Sequence, residues 1–236
     1  MRSIQKHPTI TRNYLALMQE VHELAALAER NVDCITLVAV TKTRTAEEIR
    51  AAYSAGVRHV GENYLQEALP KREALDDLQD LTWHFIGGIQ SNKTTAIAEH
   101  FDWVHTLDRE KIAQRLDRAR PPELGPLNVC INVNLHNEAN KSGAAPGDIS
   151  TLAASIQDCP RLRLRGLMAI PDASVAPADA FQALAQLYDQ LPHPPSSWDS
   201  LSMGMSGDYA PAIAAGSTIV RIGTALFGPR PPQAMR

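Results

Sequence analysis

Aromatic side chains make up only 5% of these 236 residues, cysteine occurs three times, and basic and acidic residues nearly balance at 23 and 26. Each scarcity excludes something. A net charge near -3, with both signs mixed along the chain, offers no basic face to a nucleic-acid backbone or an anionic membrane. Cys34, Cys130 and Cys159 lack metal-ligand spacing. Lying in or beside apolar stretches, they read as buried free thiols of a reducing compartment. No apolar run reaches membrane-spanning length, and the opening MRSIQKHPTITRNY has no signal-peptide core. A cytoplasmic protein is expected. The few aromatics and the lack of a long exposed apolar helix give little motive for an interaction scaffold.

What is present is a rhythm. Residues 10–30 space their apolar positions at helical intervals, and CITLVAV (34–40) follows as a continuous strand-length run. Thr45 with Glu48 three residues on is a capping-box start, and Gly56 a plausible stop. Further strand candidates are 57–63, 81–87, 101–107, 127–135, 162–170, 200–205 and 217–227. Helical patterns separate them near 62–79, 91–99, 108–119, 147–157, 177–190 and 208–215. Alternation of this kind implies parallel strands joined by crossover helices. A doubly wound open sheet competes, but eight strand candidates without a second domain favour a closed (β/α)₈ TIM barrel. The expected organisation is one domain over 1–236, with an N-terminal helix at about 10–30 closing one end and a short flexible C-terminal tail.

Ligands of such barrels gather where the strands end. That rim reads Lys42, Glu62 and Asn63, His84, His105, Asn134, Met203 to Ser206, and Gly223 with Thr224. It contains no clustered carboxylate–histidine set for a metal, and no Gly-x-Gly-x-x-Gly follows the first strand. Lys42 stands directly beyond the apolar Val38-Ala39-Val40, where an amine can project into the barrel mouth. Partial desolvation there favours the neutral, nucleophilic form, which suits a carbonyl compound such as an aldehyde cofactor. MGMSGD (203–208) and RIGTALFG (221–228) place glycine, serine and threonine after the last two strands, the usual barrel position for a phosphate. The same glycines also suit plain tight turns. Arg221 lies two residues before Gly223, on the same strand face, and needs a partner if buried.

These motifs resemble the YggS/PROSC family of pyridoxal-phosphate homeostasis proteins, which have an alanine-racemase-like N-terminal domain. The likeness runs through AVTKTR, GENYLQE (61–67), WHFIGGIQSNK (83–93), NVNLHNEANKSG (132–143), RLRGLMAIP (163–171) and SMGMSGDYAPAIAAGSTIVRIGTALFG (202–228). The resemblance implies a monomeric or weakly associating single barrel of the pyridoxal-phosphate fold type III, with Lys42 carrying pyridoxal 5'-phosphate as an aldimine. It implies Asn63, His84 and Met203 around the cofactor, Ser206, Gly223 and Thr224 at its phosphate, and Arg221 facing the pyridine nitrogen. Thr41 stands where the family commonly has serine, keeping the hydroxyl. Racemases of this fold bring a second catalytic tyrosine from a β-rich domain, and no segment here supplies one. The implied role is a non-catalytic carrier in vitamin B6 homeostasis, with other B6 vitamers and apoenzymes as further partners. The alternative is a slow racemase or lyase that presses Tyr64 or Tyr209 into service.

Overall fold

The computed structural model describes residues 7–136, 138, 141–191 and 197–229. Within them, eight parallel strands close into a barrel in strict chain order. They are β1 (Thr36–Val40), β2 (His59–Glu62), β3 (Thr82–Phe85), β4 (Trp103–Leu107), β5 (Leu127–Asn132), β6 (Leu162–Met168), β7 (Ser200–Met205) and β8 (Ile219–Ile222). Around them run α1 (Pro8–Leu27), α2 (Ala46–Ala55), α3 (Leu65–Ala74), α4 (Thr94–His100), α5 (Glu110–Ala119), α6 (Ile149–Gln157), α7 (Pro177–Gln190), α8 (Tyr209–Ala214) and the single turn α9 (Thr224–Phe227). The closed barrel is the alternative favoured by the strand count.

Local signals explain several boundaries. The capping box at α2 is complete: Glu48 N–H donates to Thr45 Oγ1 at 3.2 Å, and Thr45 N–H to Glu48 Oε2 at 2.8 Å. Gly56 ends α2 at φ 123°, and a Cβ there would meet the Tyr14 ring at 2.9 Å, so this turn both needs glycine and lets α1 pack close. Helix α1 does not close a barrel end, contrary to expectation. It packs on α2, α8 and α9, filling the outer ring beside β8, where α9 is too short to cover the strand. Arg30 fastens its end by donating to the carbonyls of Ile213 at 2.9 Å and Ser217 at 2.7 Å.

Most of the apolar core lies between sheet and helices. Leu37 and Ala39 of β1 belong to it, whereas Val38 points into the barrel, where a Cβ on Gly61 would touch it at 3.0 Å. The barrel interior itself is unusually polar. Instead of only branched aliphatics, it holds His84, His105, Ser202 and Arg221, each at most 4% exposed. Two sequence expectations fail here. Cys34 sits in an exposed 3-10 turn before β1, although Cys130 and Cys159 are buried. The last strand stops at Ile222 because the chain turns helical at Thr224. The expected C-terminal tail lies outside the described residues from 230 onward.

Candidate functional site

By alternation with Val38 and Val40, Lys42 falls on the inward side at the carboxyl end of β1 and is half-buried. Its two neighbours are held from behind. Thr41 N–H donates to Gly61 O at 2.9 Å, and Thr41 Oγ1 to Glu62 Oε1 at 2.7 Å. Lys71 of α3 reaches in with Nζ 2.7 Å from Glu62 Oε1 and 2.8 Å from the Thr41 carbonyl. On the other side Thr43 adopts φ 65°, a left-handed conformation unfavourable for a β-branched residue, and its N–H donates to Glu67 Oε2 at 2.8 Å. The lysine therefore sits on a turn that α3 braces with two side chains, Glu67 and Lys71, and β2 with a third, Glu62. Glu62 is wholly buried, and its second carboxylate oxygen has no partner among the described residues. Burial raises its pKa, opposed by the Lys71 ammonium. Glu62 thus points away from the rim on which the sequence had set it.

Strand β8 pairs directly with β1, Val38 opposite Arg221 and Ala39 opposite Ile222. Gly223 consequently lies beside Val40, one step below Lys42, where a Cβ would stand 3.5 Å from that of Val40. The N–H groups of Gly223 and Ala225 converge on Ser206 Oγ at 3.3 and 3.2 Å. Two backbone donors aimed at one oxygen form a small anion cradle in which the serine hydroxyl is the present acceptor. Thr224 is exposed at the start of α9. Arg44 ties this segment to the lysine turn, donating to Gly228 O at 2.6 Å and Pro229 O at 3.1 Å.

A cavity of about 350 Å³ opens at this end of the barrel to one side of the Lys42 turn: of the expected cofactor residues only Asn63 lines it, with Thr106, Asn132, Asn134 and Met168. That volume lies in the range of small-molecule sites. Asn63 Oδ1 is buried there without a hydrogen-bond partner among the described residues. The turn after β3 approaches so closely that a Cβ on Gly87 would fall 2.0 Å from the Asn63 carbonyl oxygen. Thr106 Oγ1 then donates to the Gly87 carbonyl at 2.6 Å.

The chain matches the family described as alanine racemase, N-terminal domain, over residues 13–231. It is 53% identical over 222 residues to the pyridoxal phosphate homeostasis protein of Pseudomonas aeruginosa, covering 94% of this chain and 96% of that one. With the protein of the same name from Escherichia coli K12 it shares 46% over 230 residues, 94% and 97% of the two chains. It belongs to the pyridoxal phosphate homeostasis proteins. Among solved structures, PipY of Synechococcus elongatus PCC7942 superposes with a TM-score of 0.76 without PLP, at 38% identity over 88% of this chain and 99% of that one. The same protein with PLP bound gives 0.72 at 37% identity, with the same two coverages. Alanine racemase from E. faecalis, 18% identical with a TM-score of 0.65, shares the fold; this chain spans 58% of it.

In this chain, β1, β2 and β8 bring Lys42, Asn63, Arg221, Gly223 and, through the cradle, Ser206 and Thr224 to one sector of the barrel. Three expected positions differ. Met203 is fully buried in the layer between sheet and helices, because Ser202 and not Met203 takes the inward face of β7. His84 and His105 lie in the barrel interior and not on the rim. His84 has both ring nitrogens engaged, Nε2 with His59 Nδ1 at 3.0 Å and Nδ1 with His105 Nε2 at 2.8 Å. No group of three or more His, Cys, Asp or Glu among the described residues could hold a metal ion. Sequence reading passed over Lys71, Glu67 and Thr106. The signal for Lys71 was a period-two count along β2, which sends Glu62 outward and so demands a cation from the following helix; Glu67 and Thr106 had none. Residues 137, 139 and 140 of the 136–143 loop lie outside the described set.

Proposed function

We propose that the whole chain acts as one carrier unit for pyridoxal 5'-phosphate in intracellular vitamin B6 homeostasis, with Lys42 Nζ as the amine that meets the aldehyde. The observation that carries this reading is the pairing of β1 with β8, which sets Lys42 beside the N–H cradle of Gly223 and Ala225. The residues suit the group chemically. The unpartnered Asn63 Oδ1 offers an acceptor at the mouth, Thr224 and Ser206 add hydroxyls to the cradle, and Arg221 lies below on the inner face of β8. Pyridoxal phosphate supplies an aldehyde for amines and an electron-withdrawing ring. A donor-only guanidinium facing that ring leaves its nitrogen unprotonated, which weakens electron withdrawal. His84 and Met203 lie away from the group, one inside the barrel and the other between sheet and helices.

A carrier is favoured over a racemase by the tyrosines. Tyr209 is 8% exposed and packed on α1; burial first, then the hydrogen bond to Glu20, raises its pKa. Tyr64 is 56% exposed ahead of α3. Neither is set as a second acid/base opposite Lys42. Release to apoenzymes and uptake of other vitamers fit a monomeric cytoplasmic carrier. Borohydride reduction of the protein mixed with pyridoxal phosphate, followed by peptide mass analysis, should place the adduct on Lys42 and lose it in Lys42→Ala. Alanine in deuterated solvent should gain no α-deuterium. An adduct on another lysine refutes the anchor; rapid exchange that disappears in Lys42→Ala restores the racemase.

A further inference from the structure

Below the mouth, five polar side chains from five strands touch in sequence. His59 Nδ1 lies 3.0 Å from His84 Nε2, His84 Nδ1 2.8 Å from His105 Nε2, and His105 Nδ1 2.7 Å from Ser202 Oγ. Arg221 Nη1 donates to the same Ser202 oxygen at 2.6 Å, while Nη2 donates to the Ala169 carbonyl at 3.2 Å. His59 is half-buried at the amino end of β2; the other four are at most 4% exposed. Trp103 stacks on His84 with ring centroids 5.5 Å apart, fixing that ring in plane.

Donor and acceptor counting gives this line a direction. A guanidinium only donates, so Ser202 Oγ accepts from Arg221. The hydroxyl proton then goes to His105 Nδ1, which makes His105 an Nε2–H tautomer. His105 Nε2–H donates to His84 Nδ1, and His84 Nε2–H donates to His59 Nδ1. Every buried proton in this arrangement has an acceptor. In the reverse direction the Ser202 hydroxyl would receive two donors and hold a proton with no acceptor among the described contacts, a costly state in a buried site. Burial first, then the Arg221 charge, pushes His105 down to about 3, and burial with its histidine neighbours holds His84 well below the ordinary histidine range. Both rings are therefore neutral at physiological pH, as the one-way line requires.

We propose that His105 and His84 are positioning residues whose fixed tautomers hold the Ser202 hydroxyl as an acceptor for Arg221, and so set the guanidinium on the floor of the mouth. Its effect on the cofactor rests on the carrier reading above; the line itself does not. Removing His105 lets the hydroxyl turn, and Arg221 loses one of its two fixed acceptors.

Nitrogen-15 ring spectra of the protein without added ligand test the line directly. His84 and His105 should both be neutral Nε2–H tautomers and stay so across about pH 6 to 8, where free histidine titrates. An Nδ1–H tautomer at either ring, or titration in that window, overturns the proposal whether or not pyridoxal phosphate binds. His105→Leu and His105→Asn separate positioning from packing, since the asparagine amide oxygen can take the place of Nδ1 opposite Ser202. We expect pyridoxal phosphate to bind about tenfold more weakly to the leucine variant, the size of one hydrogen bond to a charged group, with a shifted absorbance maximum. The asparagine variant should recover most of both. Equal effects in the two variants, or none, refute the positioning role.

Discussion

Replacing Lys71 with methionine is the sharpest probe of the brace behind Lys42. The substitution keeps the apolar stem but leaves the fully buried Glu62 carboxylate with Thr41 Oγ1 alone. Removing one member of a buried ion pair costs about 3–5 kcal/mol. Lys71 is 11% exposed, so some water reaches its head group and the lower end applies. A loss of about 3 kcal/mol in a chain of this size lowers Tm by about 6–12 °C. The cost must also depend on pH. Glu62 already has a raised folded pKa, mainly from burial, with Lys71 opposing the rise. Without Lys71 the folded value climbs further above the unfolded one of about 4.3. A carboxyl with a raised folded pKa contributes stability that is fully present below the unfolded pKa and fades as pH rises through the folded pKa. The variant's deficit should therefore be small near pH 4.5 and widen towards pH 8. Urea melts at both pH values check this, and Glu62→Gln added to Lys71→Met should recover most of the loss at pH 8. A deficit equal at the two pH values, or a double variant no better than the single one, would show that Lys71 acts through packing and not through the carboxylate.

Other expectations follow from single contacts. Gly87→Ala drives a methyl to 2.0 Å from the Asn63 carbonyl oxygen, a backbone atom that cannot swing aside. It should destabilise the fold by more than about 3 kcal/mol, beyond the usual range for a point change; a normal melting curve would refute the close approach of Asn63 and the turn after β3. Cys34 is exposed, whereas Cys130 is buried with its thiol pushed up to about 12 and Cys159 is buried with its own raised. A chromogenic disulfide reagent should label one thiol rapidly and three only after denaturation; fast labelling of a second thiol in the native protein contradicts this burial.

The order of elements was legible because most strands lie in short, largely buried runs, most helices carry their own period, and α2 adds a capping box. Thr45 with Glu48, and Gly56 after them, act through contacts within a few residues, so α2 could be read directly. Lys42 was visible for the same local reason: an amine immediately beyond a buried strand has few places to go. The family motifs carried the residues of β7 and β8 further than periodicity alone. Inward and outward facing was harder. A strand shifted by one residue reverses every side chain, and Glu62, Met203 and the rim placement of His84 were misplaced because strand ends were read as uniformly facing the mouth. The brace of Lys71 on Thr41 and the line from His59 to Arg221 belong to the tertiary structure. His59, His84 and His105 come from neighbouring strands, but Ser202 and Arg221 meet them only after the sheet has curved through all eight strands and closed. Local propensity and burial are enough to say which segments are strands, which are helices, and that a lysine ends the first strand. Barrel closure decided which polar groups share the interior, because that depends on register and curvature summed around the whole sheet.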